Sequence, residues 1–205
     1  MNGLPDRLRE AGRELLSLDK AVYSAVQSTP TPQIDHALAR ISRAADHSKL
    51  WMAMAAVMAA SGRRPRRAAL MGLGSLAVTS ATVNLAVKPI PRRRRPSLTE
   101  SVRTHGVRMP GSHSWPSGHT ASAFAFATGA GGELPELDSA LRLAATVVAY
   151  SRVHTGVHYP ADVLVGSLVG GSVGQIVGGL HRRRSLRRLT HGLARRSQAG
   201  RGDGD

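Results

Sequence analysis

Cysteine is absent from the 205 residues of this sequence, and aromatic residues make up only 3% of it. The lack of cysteine excludes disulfides, zinc sites built on thiolates and cysteine nucleophiles. The scarcity of aromatic side chains disfavours a protein that binds single-stranded nucleic acid by base stacking. Acidic residues are also few, with 13 Asp and Glu against 28 Lys and Arg and a formal net charge of +15. The length suits one domain rather than two.

Lysine is scarce, since the 28 basic residues comprise 25 arginines and only Lys20, Lys49 and Lys88. The arginines cluster at 63–67, 92–95 and 182–188. Between these clusters, 68–87 is a run of 20 residues without an ionisable side chain, and 163–180 is a run of 18. A helix of about 20 apolar residues crosses the ~30 Å hydrocarbon core of a bilayer. Both runs therefore predict membrane-spanning helices.

The pattern of apolar runs predicts an all-α protein with five helices in its main part. Their expected bounds are 48–61, 68–87, 118–132, 136–153 and 161–180. An amphipathic segment precedes them, with apolar residues at helical spacing at Leu8, Ala11, Leu15, Leu18, Val22 and Val26. We therefore divide the chain into an amphipathic, interfacial region (1–47), a helical-bundle domain (48–181) and a basic, disordered tail (182–205).

A soluble helical domain is the alternative to a membrane bundle, and the mean hydropathy of −0.16 favours it. Against it, a chain of this size has little protein with which to bury the two long uncharged helices on every side. Gly166, Gly170, Gly174 and Gly178 also form a stripe on one helix face, a pattern that lets helices approach closely in lipid. We therefore expect an integral-membrane bundle of about five transmembrane helices, with Trp51 and Trp115 at the interface.

Three polar segments between the predicted helices combine basic, small and histidine residues. They are the segment from Lys88 to Arg95 and Pro96, the segment Pro116-Ser117-Gly118-His119, and the segment containing Ser151, Arg152, His158 and Asp162. Taken singly, each has an ordinary explanation. An arginine run after an apolar span anchors headgroups, Pro-Ser-Gly begins a helix, and a His and an Asp at i, i+4 form a surface pair.

In this order the segments resemble the three-part signature of the type 2 phosphatidic acid phosphatase and vanadium haloperoxidase superfamily. That signature reads Lys-x6-Arg-Pro, Pro-Ser-Gly-His and Ser-Arg-x5-His-x3-Asp, and every position of it is filled here. The resemblance runs from about residue 50 to 180. It implies a helical core like that of these phosphatases and haloperoxidases, and an enzyme that needs no metal and no cofactor.

Phosphoryl transfer requires a nucleophile, an acid for the leaving oxygen and cations around the phosphate. In a chain without cysteine, histidine is the natural nucleophile. The resemblance implies that His158 attacks phosphorus, that Asp162 orients its ring and that His119 protonates the leaving group. It also implies a phosphate-binding set of Lys88, Arg95, Ser117, Gly118 and Arg152. A metal pair of His154 and His158 is disfavoured because it lacks a third ligand at suitable spacing.

The function that follows is hydrolysis of a lipid phosphate or diphosphate, phosphatidate-like or polyprenyl, through a phosphohistidine. The expected partners are the phosphorylated lipid and the membrane, not nucleic acid. Counting membrane crossings places the three motifs on one face, which the positive-inside rule makes extracytoplasmic. Residues 92–94 either anchor headgroups or bind a second phosphate. Two alternatives stay open: a soluble acid phosphatase or vanadate-dependent haloperoxidase with the same pocket, and a non-enzymatic cationic protein that binds lipid or nucleic acid.

Overall fold

A computed structural model of the chain describes residues 4–87, 89, 93–97, 107, 109 and 111–199, with side chains described as far as residue 183. Lys88 and Arg92 of the first motif lie outside the described residues. The described part of the chain is helical and contains no strand.

Within the described residues, seven α-helices follow one another. They are α1 (Leu4–Ser28), α2 (Pro32–Ala44), α3 (Lys49–Ala60), α4 (Arg63–Thr82), α5 (Gly118–Gly131), α6 (Pro135–His154) and α7 (Pro160–Ala199). A 3₁₀ turn, Asp46–Ser48, joins α2 to α3, and a π-helical turn, Val83–Val87, extends α4. Each of the five predicted segments coincides with one of α3 to α7. The uncharged runs therefore locate these helices, but the charge clusters do not bound them, since α4 begins at Arg63 and α7 runs through 182–188.

Among the described residues, two helices are long and apolar enough to cross a membrane, Arg63–Val87 and Pro160–Arg183. They coincide with the two runs from which the sequence predicted membrane spans. The other helices of the bundle are less apolar or shorter, and α3 and α5 have only 12 and 14 residues. Since about 20 residues are needed to cross a bilayer core, neither spans one alone.

α5 is the central helix of the bundle and packs against α4, α6 and α7. Most of its residues are buried, and its small side chains let the neighbouring helices come close. Trp51 from α3 is also in this core, fully buried, with its ring centroid 5.3 Å from that of Phe126. The expected interfacial seat of Trp51 is therefore wrong, because a large side chain is needed to fill the space beside the alanines of α5.

The glycine stripe of α7 lies against α5 over most of its length. A Cβ on Gly166 would lie 2.6 Å from the carbonyl oxygen of Ser117, and one on Gly174 would lie 2.8 Å from the Cβ of Thr128. A Cβ on Gly170 would overlap the carbonyl oxygen of Ala121. Gly178 has nothing within 4 Å of such a Cβ. The first three glycines therefore set the distance between the two helices.

Residues 1–47 contain two helices where the sequence analysis predicted one amphipathic segment. The missed helix, α2, begins with Pro32 directly after Thr31, a start signal that the sequence does carry. Helix α1 is oriented against expectation, since its predicted apolar stripe faces outward, with Leu8, Leu15 and Leu18 at least 60% exposed. Its buried residues are Asp19, Tyr23 and Gln27.

Helix α7 continues to Ala199, well into the segment from 182 that was expected to be disordered. Between 182 and 199 the sequence has no proline and one glycine, and its Arg, Leu and Ala residues favour a helix. Residues 200–205 lie outside the described part of the chain.

Adding a methyl group at Gly170 should force α5 and α7 apart, because its Cβ meets rigid backbone. We expect Gly170→Ala to lower the free energy of unfolding by about 1–3 kcal/mol. Gly171→Ala is the matched control, since its Cβ has nothing within 4 Å, and it should be neutral or stabilising by up to about 1 kcal/mol. Denaturant unfolding of the purified protein in detergent measures both. An equal effect of the two substitutions would contradict this account of the packing.

Candidate active site

The second and third motifs meet where α5 and α7 begin. Ser117 caps α5, and its Oγ accepts hydrogen bonds from the backbone N–H of Thr120 (3.4 Å) and from Thr120 Oγ1 (3.0 Å). The backbone N–H of Ser117 donates to the carbonyl oxygen of Asp162 over 2.9 Å. Gly118 is the first residue of α5, where the helix dipole favours an anion. This pairing brings residues 45 positions apart in sequence into one site.

The ring of His158 is held on both nitrogens. Its Nε2 lies 3.0 Å from Arg95 Nη1, and its Nδ1 lies 3.5 Å from both Asp162 Oδ2 and Ser114 Oγ. Because a guanidinium only donates hydrogen bonds, Nε2 must be the acceptor and carry the lone pair. The proton of the neutral ring is therefore on Nδ1, facing Asp162. This is the tautomer that a nucleophile attacking through Nε2 requires.

His158 is buried, with 1% of its surface exposed. Burial lowers its pKa from 6.5 to about 3, against the opposing effect of its hydrogen bond with Asp162, and the positive charges of Arg95 and Arg152 lower it further. The imidazole is therefore neutral at physiological pH. A base in this state keeps its lone pair without competition from protons.

Asp162 is fixed by donors on both carboxylate oxygens. Its Oδ2 accepts from the hydroxyl of Ser114 and from the backbone N–H of Tyr159 over 2.9 Å. Its Oδ1 accepts from Arg93 Nη1 over 3.1 Å. Arg93 therefore neither anchors a headgroup nor lies free to bind a second phosphate, as the sequence analysis considered. Its charge instead compensates the buried carboxylate beside His158.

His119 pairs with a carboxylate that the sequence analysis missed. Its Nε2 lies 2.9 Å from Oδ1 of Asp46, in the 3₁₀ turn between α2 and α3. The hydrogen bond with His119 lowers the pKa of Asp46, so this carboxylate is ionised. A carboxylate only accepts, hence His119 donates its Nε2 proton to Asp46 and presents Nδ1 elsewhere. No sequence motif links residues 73 positions apart, and nothing marks Asp46 in the sequence.

Arg152 is fully buried and only partly paired. Its Nη1 donates to Ser42 Oγ over 2.6 Å and lies 3.7 Å from Asp46 Oδ1. Its Nε and Nη2 have no hydrogen-bond partner among the described residues. Because an unsatisfied buried donor is costly, these two nitrogens mark a place for an acceptor such as a phosphate oxygen.

Arg95 joins two loops of the site. Besides His158 Nε2, its guanidinium donates to the carbonyl oxygens of Val157 and Ser112, each over 2.8 Å. Arg95 therefore contacts Nε2 of His158, the histidine that the sequence analysis predicts to be the nucleophile.

Most of the predicted site residues are brought together by the fold. One connected cluster contains seven of them: Arg95, Ser117, Gly118, His119, Arg152, His158 and Asp162. The eighth, Lys88, lies outside the described residues. His154 is turned away from the cluster, because its Nε2 bonds Asp35 Oδ1 of α2 over 2.8 Å. That contact replaces the metal pair with His158 that was considered as an alternative.

More than half of the chain matches a known protein family. Residues 68–185 match the PAP2 superfamily, and the chain belongs to this superfamily. Decaprenylphosphoryl-5-phosphoribose phosphatase of Mycobacterium tuberculosis H37Rv is 32% identical over 163 residues, covering 77% of this chain and 87% of the relative. The protein of that name from Mycolicibacterium smegmatis is 34% identical over 155 residues, covering 72% and 81%. The predicted family and enzyme class are confirmed, and the interpretation as a non-enzymatic cationic protein is dropped.

Two solved structures share the fold. The transmembrane PAP2-type phosphatidylglycerolphosphate phosphatase from Bacillus subtilis superposes with a TM-score of 0.62 at 23% identity, over 83% of this chain and 87% of that one. LpxE from Aquifex aeolicus gives a TM-score of 0.58 at 21% identity, over 77% and 92%. At these identities the likeness concerns the arrangement of the helices.

The lowered pKa of His158 makes stability depend on pH. The unfolded chain binds a proton at this histidine below pH 6.5, whereas the folded protein stays unprotonated there down to about pH 3. The free energy of unfolding should therefore fall as the pH falls through this window, by at most about 1.4 kcal/mol per pH unit from this group. His158→Gln removes the group, so its unfolding free energy should vary less between pH 6.5 and 4.

Denaturant unfolding at several pH values measures this slope, with the substitution His113→Gln in an exposed loop as control. The control should keep the slope of the wild type. Identical slopes for His158→Gln and the wild type would show that His158 titrates normally in the folded protein.

Proposed function

We propose that the protein is a metal-independent phosphatase that hydrolyses a phosphorylated lipid through a phosphohistidine on His158. The observation that carries this proposal is the buried, neutral imidazole of His158, whose Nε2 lone pair lies 3.0 Å from the guanidinium of Arg95. The family to which the chain belongs supports the reaction class.

In the first step, Nε2 of His158 attacks phosphorus while the bond from phosphorus to the ester oxygen breaks. The electron pair of that bond stays on the leaving oxygen, and His119 supplies its proton. Because Nε2 of His119 is bonded to Asp46, the proton comes from Nδ1. Burial lowers the pKa of His119, and the hydrogen bond with the Asp46 carboxylate opposes this effect and stabilises the doubly protonated ring from which the proton is transferred. As His158 becomes positive, Asp162 stabilises it through Nδ1.

In the second step, a water molecule attacks the phosphohistidine and the bond from phosphorus to Nε2 breaks. Nδ1 of His119 accepts the proton of the water, and inorganic phosphate leaves. Cations hold the phosphate oxygens throughout, with Arg95 and Arg152 as forks and Lys88 as a point charge. The N-terminus of α5, with Ser117 and Gly118, completes this anion site.

A lipid substrate is supported by the surface of the molecule. Leucines of α1 and of the two candidate spans point outward, including Leu70, Leu85, Leu164 and Leu168, each more than 60% exposed. In a bilayer these side chains contact acyl chains instead of water. We propose that the bundle of α3 to α7 is a multi-pass membrane domain with α1 at its interface. The arginines at 63–67 and 182–188 then face the cytoplasm, and the site opens on the extracytoplasmic side.

A polar cavity beside His119 supports a hydroxylated leaving group. The cavity measures about 200 Å³, and His119, His47, Ser48, Ser80, Asn84 and Ser122 are among its lining residues. Two backbone irregularities shape it: the left-handed residues His47 and Ser48, and the π-helical turn Val83–Val87. Such irregularities concentrate at functional sites. Since His119 protonates the leaving oxygen, the departing alcohol lies on this side of the phosphate.

A sugar suits this cavity better than a glycerol diester, because its hydroxyls can pair with several polar side chains. The relatives named decaprenylphosphoryl-5-phosphoribose phosphatase are consistent with a polyprenyl-linked sugar phosphate as substrate. We therefore propose a phosphate monoester on a lipid-linked sugar. The sugar then lies in the cavity, and the polyprenyl chain lies along the apolar outer surface.

The substitution His158→Ala should reduce phosphate release by at least about 10³-fold, because it removes the nucleophile. Wild-type activity should persist in excess EDTA and be blocked by vanadate, which resembles the phosphate in the transition state. Assays of phosphate release from a lipid phosphate in detergent measure the loss in His158→Ala and the effects of EDTA and vanadate. The matched control is His113→Ala, in the exposed loop. Loss of activity in EDTA, or full activity of His158→Ala, would refute the mechanism.

Removing polarity from the cavity should reduce activity on a lipid-linked sugar phosphate more than on a substrate without a sugar. We expect Asn84→Leu to lower kcat/KM for the sugar substrate about 10-fold, the value of one or two hydrogen bonds, and to leave p-nitrophenyl phosphate hydrolysis within twofold. Thr82→Val, which removes a hydroxyl from the same helix outside the cavity, is the control. An equal loss on both substrates would argue against a sugar site.

A further inference from the structure

Helix α1 attaches to the bundle by a stripe of polar residues. Its buried residues are Asp19, Tyr23 and Gln27, which lie four positions apart and therefore on one face of the helix. Its leucines, in contrast, are exposed. Apolar contact of α1 with the bundle includes a small cluster in which Tyr23 and Val26 pack with Val153, Tyr159 and Val163. Polar contacts on the same face of the helix add to this attachment.

All three residues contact one segment of the chain, the turn between α6 and α7 that carries His158. Gln27 Nε2 donates to the carbonyl oxygens of Val153 (2.9 Å) and His154 (3.0 Å). The hydroxyl of Tyr23 lies 3.5 Å from the carbonyl oxygen of Gly156. Asp19 Oδ1 accepts from the backbone N–H of Ala161 over 2.8 Å, in the first turn of α7. Helix α1 thus makes hydrogen bonds to both ends of this turn.

Asp19 also reaches the orienting carboxylate of the site through one arginine. Its Oδ2 accepts from Arg93 Nη2, while Nη1 of the same guanidinium donates to Asp162 Oδ1 over 3.1 Å. Arg93 lies over the ring of Tyr159, 4.2 Å from its centroid, and is only 18% exposed. The guanidinium is therefore held between two buried carboxylates and against a ring, which leaves it a single orientation.

We infer that Asp19 is a positioning residue for the phosphoryl transfer, acting through Arg93 on Asp162 and so on the ring of His158. The inference rests on the proposed role of His158 as nucleophile. With Asp19 in place, the Arg93 fork presents Nη1 to Asp162 Oδ1, and Oδ2 faces Nδ1 of His158. Without the Asp19 carboxylate, Arg93 loses one of its two anionic partners and can turn away from Asp162. Attack through Nε2 depends on ring orientation, so the rate of the chemical step should fall.

The expected signature of Asp19→Asn is a fall in kcat of about 10- to 100-fold with KM within twofold of the wild type, because Asp19 does not touch the phosphate-binding arginines. Asp6→Asn is the matched control, since Asp6 lies on the same helix and is exposed. It should behave as the wild type. Rapid-quench measurement of phosphoenzyme formation should show the same loss as kcat for Asp19→Asn.

A double-mutant cycle distinguishes an effect of Asp19 that acts through Arg93 from independent effects of the two residues on kcat. Arg93→Gln should lower kcat at least as much as Asp19→Asn, and adding Asp19→Asn to it should cause no further loss. Arg93→Lys keeps the charge but not the fork, so it tests the same geometry with little risk to folding. We expect it to lower kcat by about 10-fold.

Wild-type kcat in Asp19→Asn or in Arg93→Lys would overturn the inference. The inference would also be overturned if the fold-losses in kcat of the two single variants multiplied in the double variant. A rise in KM with unchanged kcat would overturn it as well. None of these results contradicts the proposed function, which is tested separately by the activity of His158→Ala. If His158→Ala were active, the nucleophile itself would be wrong and the role of Asp19 would fall with it.

Discussion

A neutral imidazole held on both nitrogens is the constraint on which the rest of the structure depends. His158 must be buried to stay neutral, yet it must lie among cations that bind phosphate. The fold meets both demands by pairing its Nδ1 with a carboxylate and its Nε2 with a guanidinium. Each of these charges then needs its own partner in a medium of low dielectric constant. Arg93 is the partner of Asp162, and Asp46 is the partner of Arg152, the second buried guanidinium of the site.

This network explains why the molecule buries polar residues and exposes leucines. A water-soluble bundle of this size would bury its leucines in the core and place its aspartates outside. Here glycine and alanine let α5 and α7 approach closely, and many of the buried apolar residues are alanines. Polar side chains fill the end of the bundle where the motifs meet. The arrangement suits a lipid surrounding, where packing of small residues and interior hydrogen bonds hold helices together.

The sequence alone was sufficient for the helices α3 to α7 and for the pairing of His158 with Asp162, because both depend on local spacing. It was not sufficient for Asp19, Ser42 or Asp46. These are single polar residues whose partners lie far away along the chain, and only the packing of α1 and α2 brings them together. The apolar stripe of α1 was recognised, but periodicity identifies a face without telling whether protein or lipid covers it.

Residues of the N-terminal 47 also contact the site, besides forming the region predicted to lie at the membrane interface. Three histidines of the second and third motifs depend on them: His119 on Asp46, His154 on Asp35, and His158 on Asp19 through Arg93 and Asp162. The match to the PAP2 superfamily begins only at residue 68. The two histidines proposed to react, His119 and His158, lie within the matched segment, whereas Asp19, Asp35 and Asp46 lie before it.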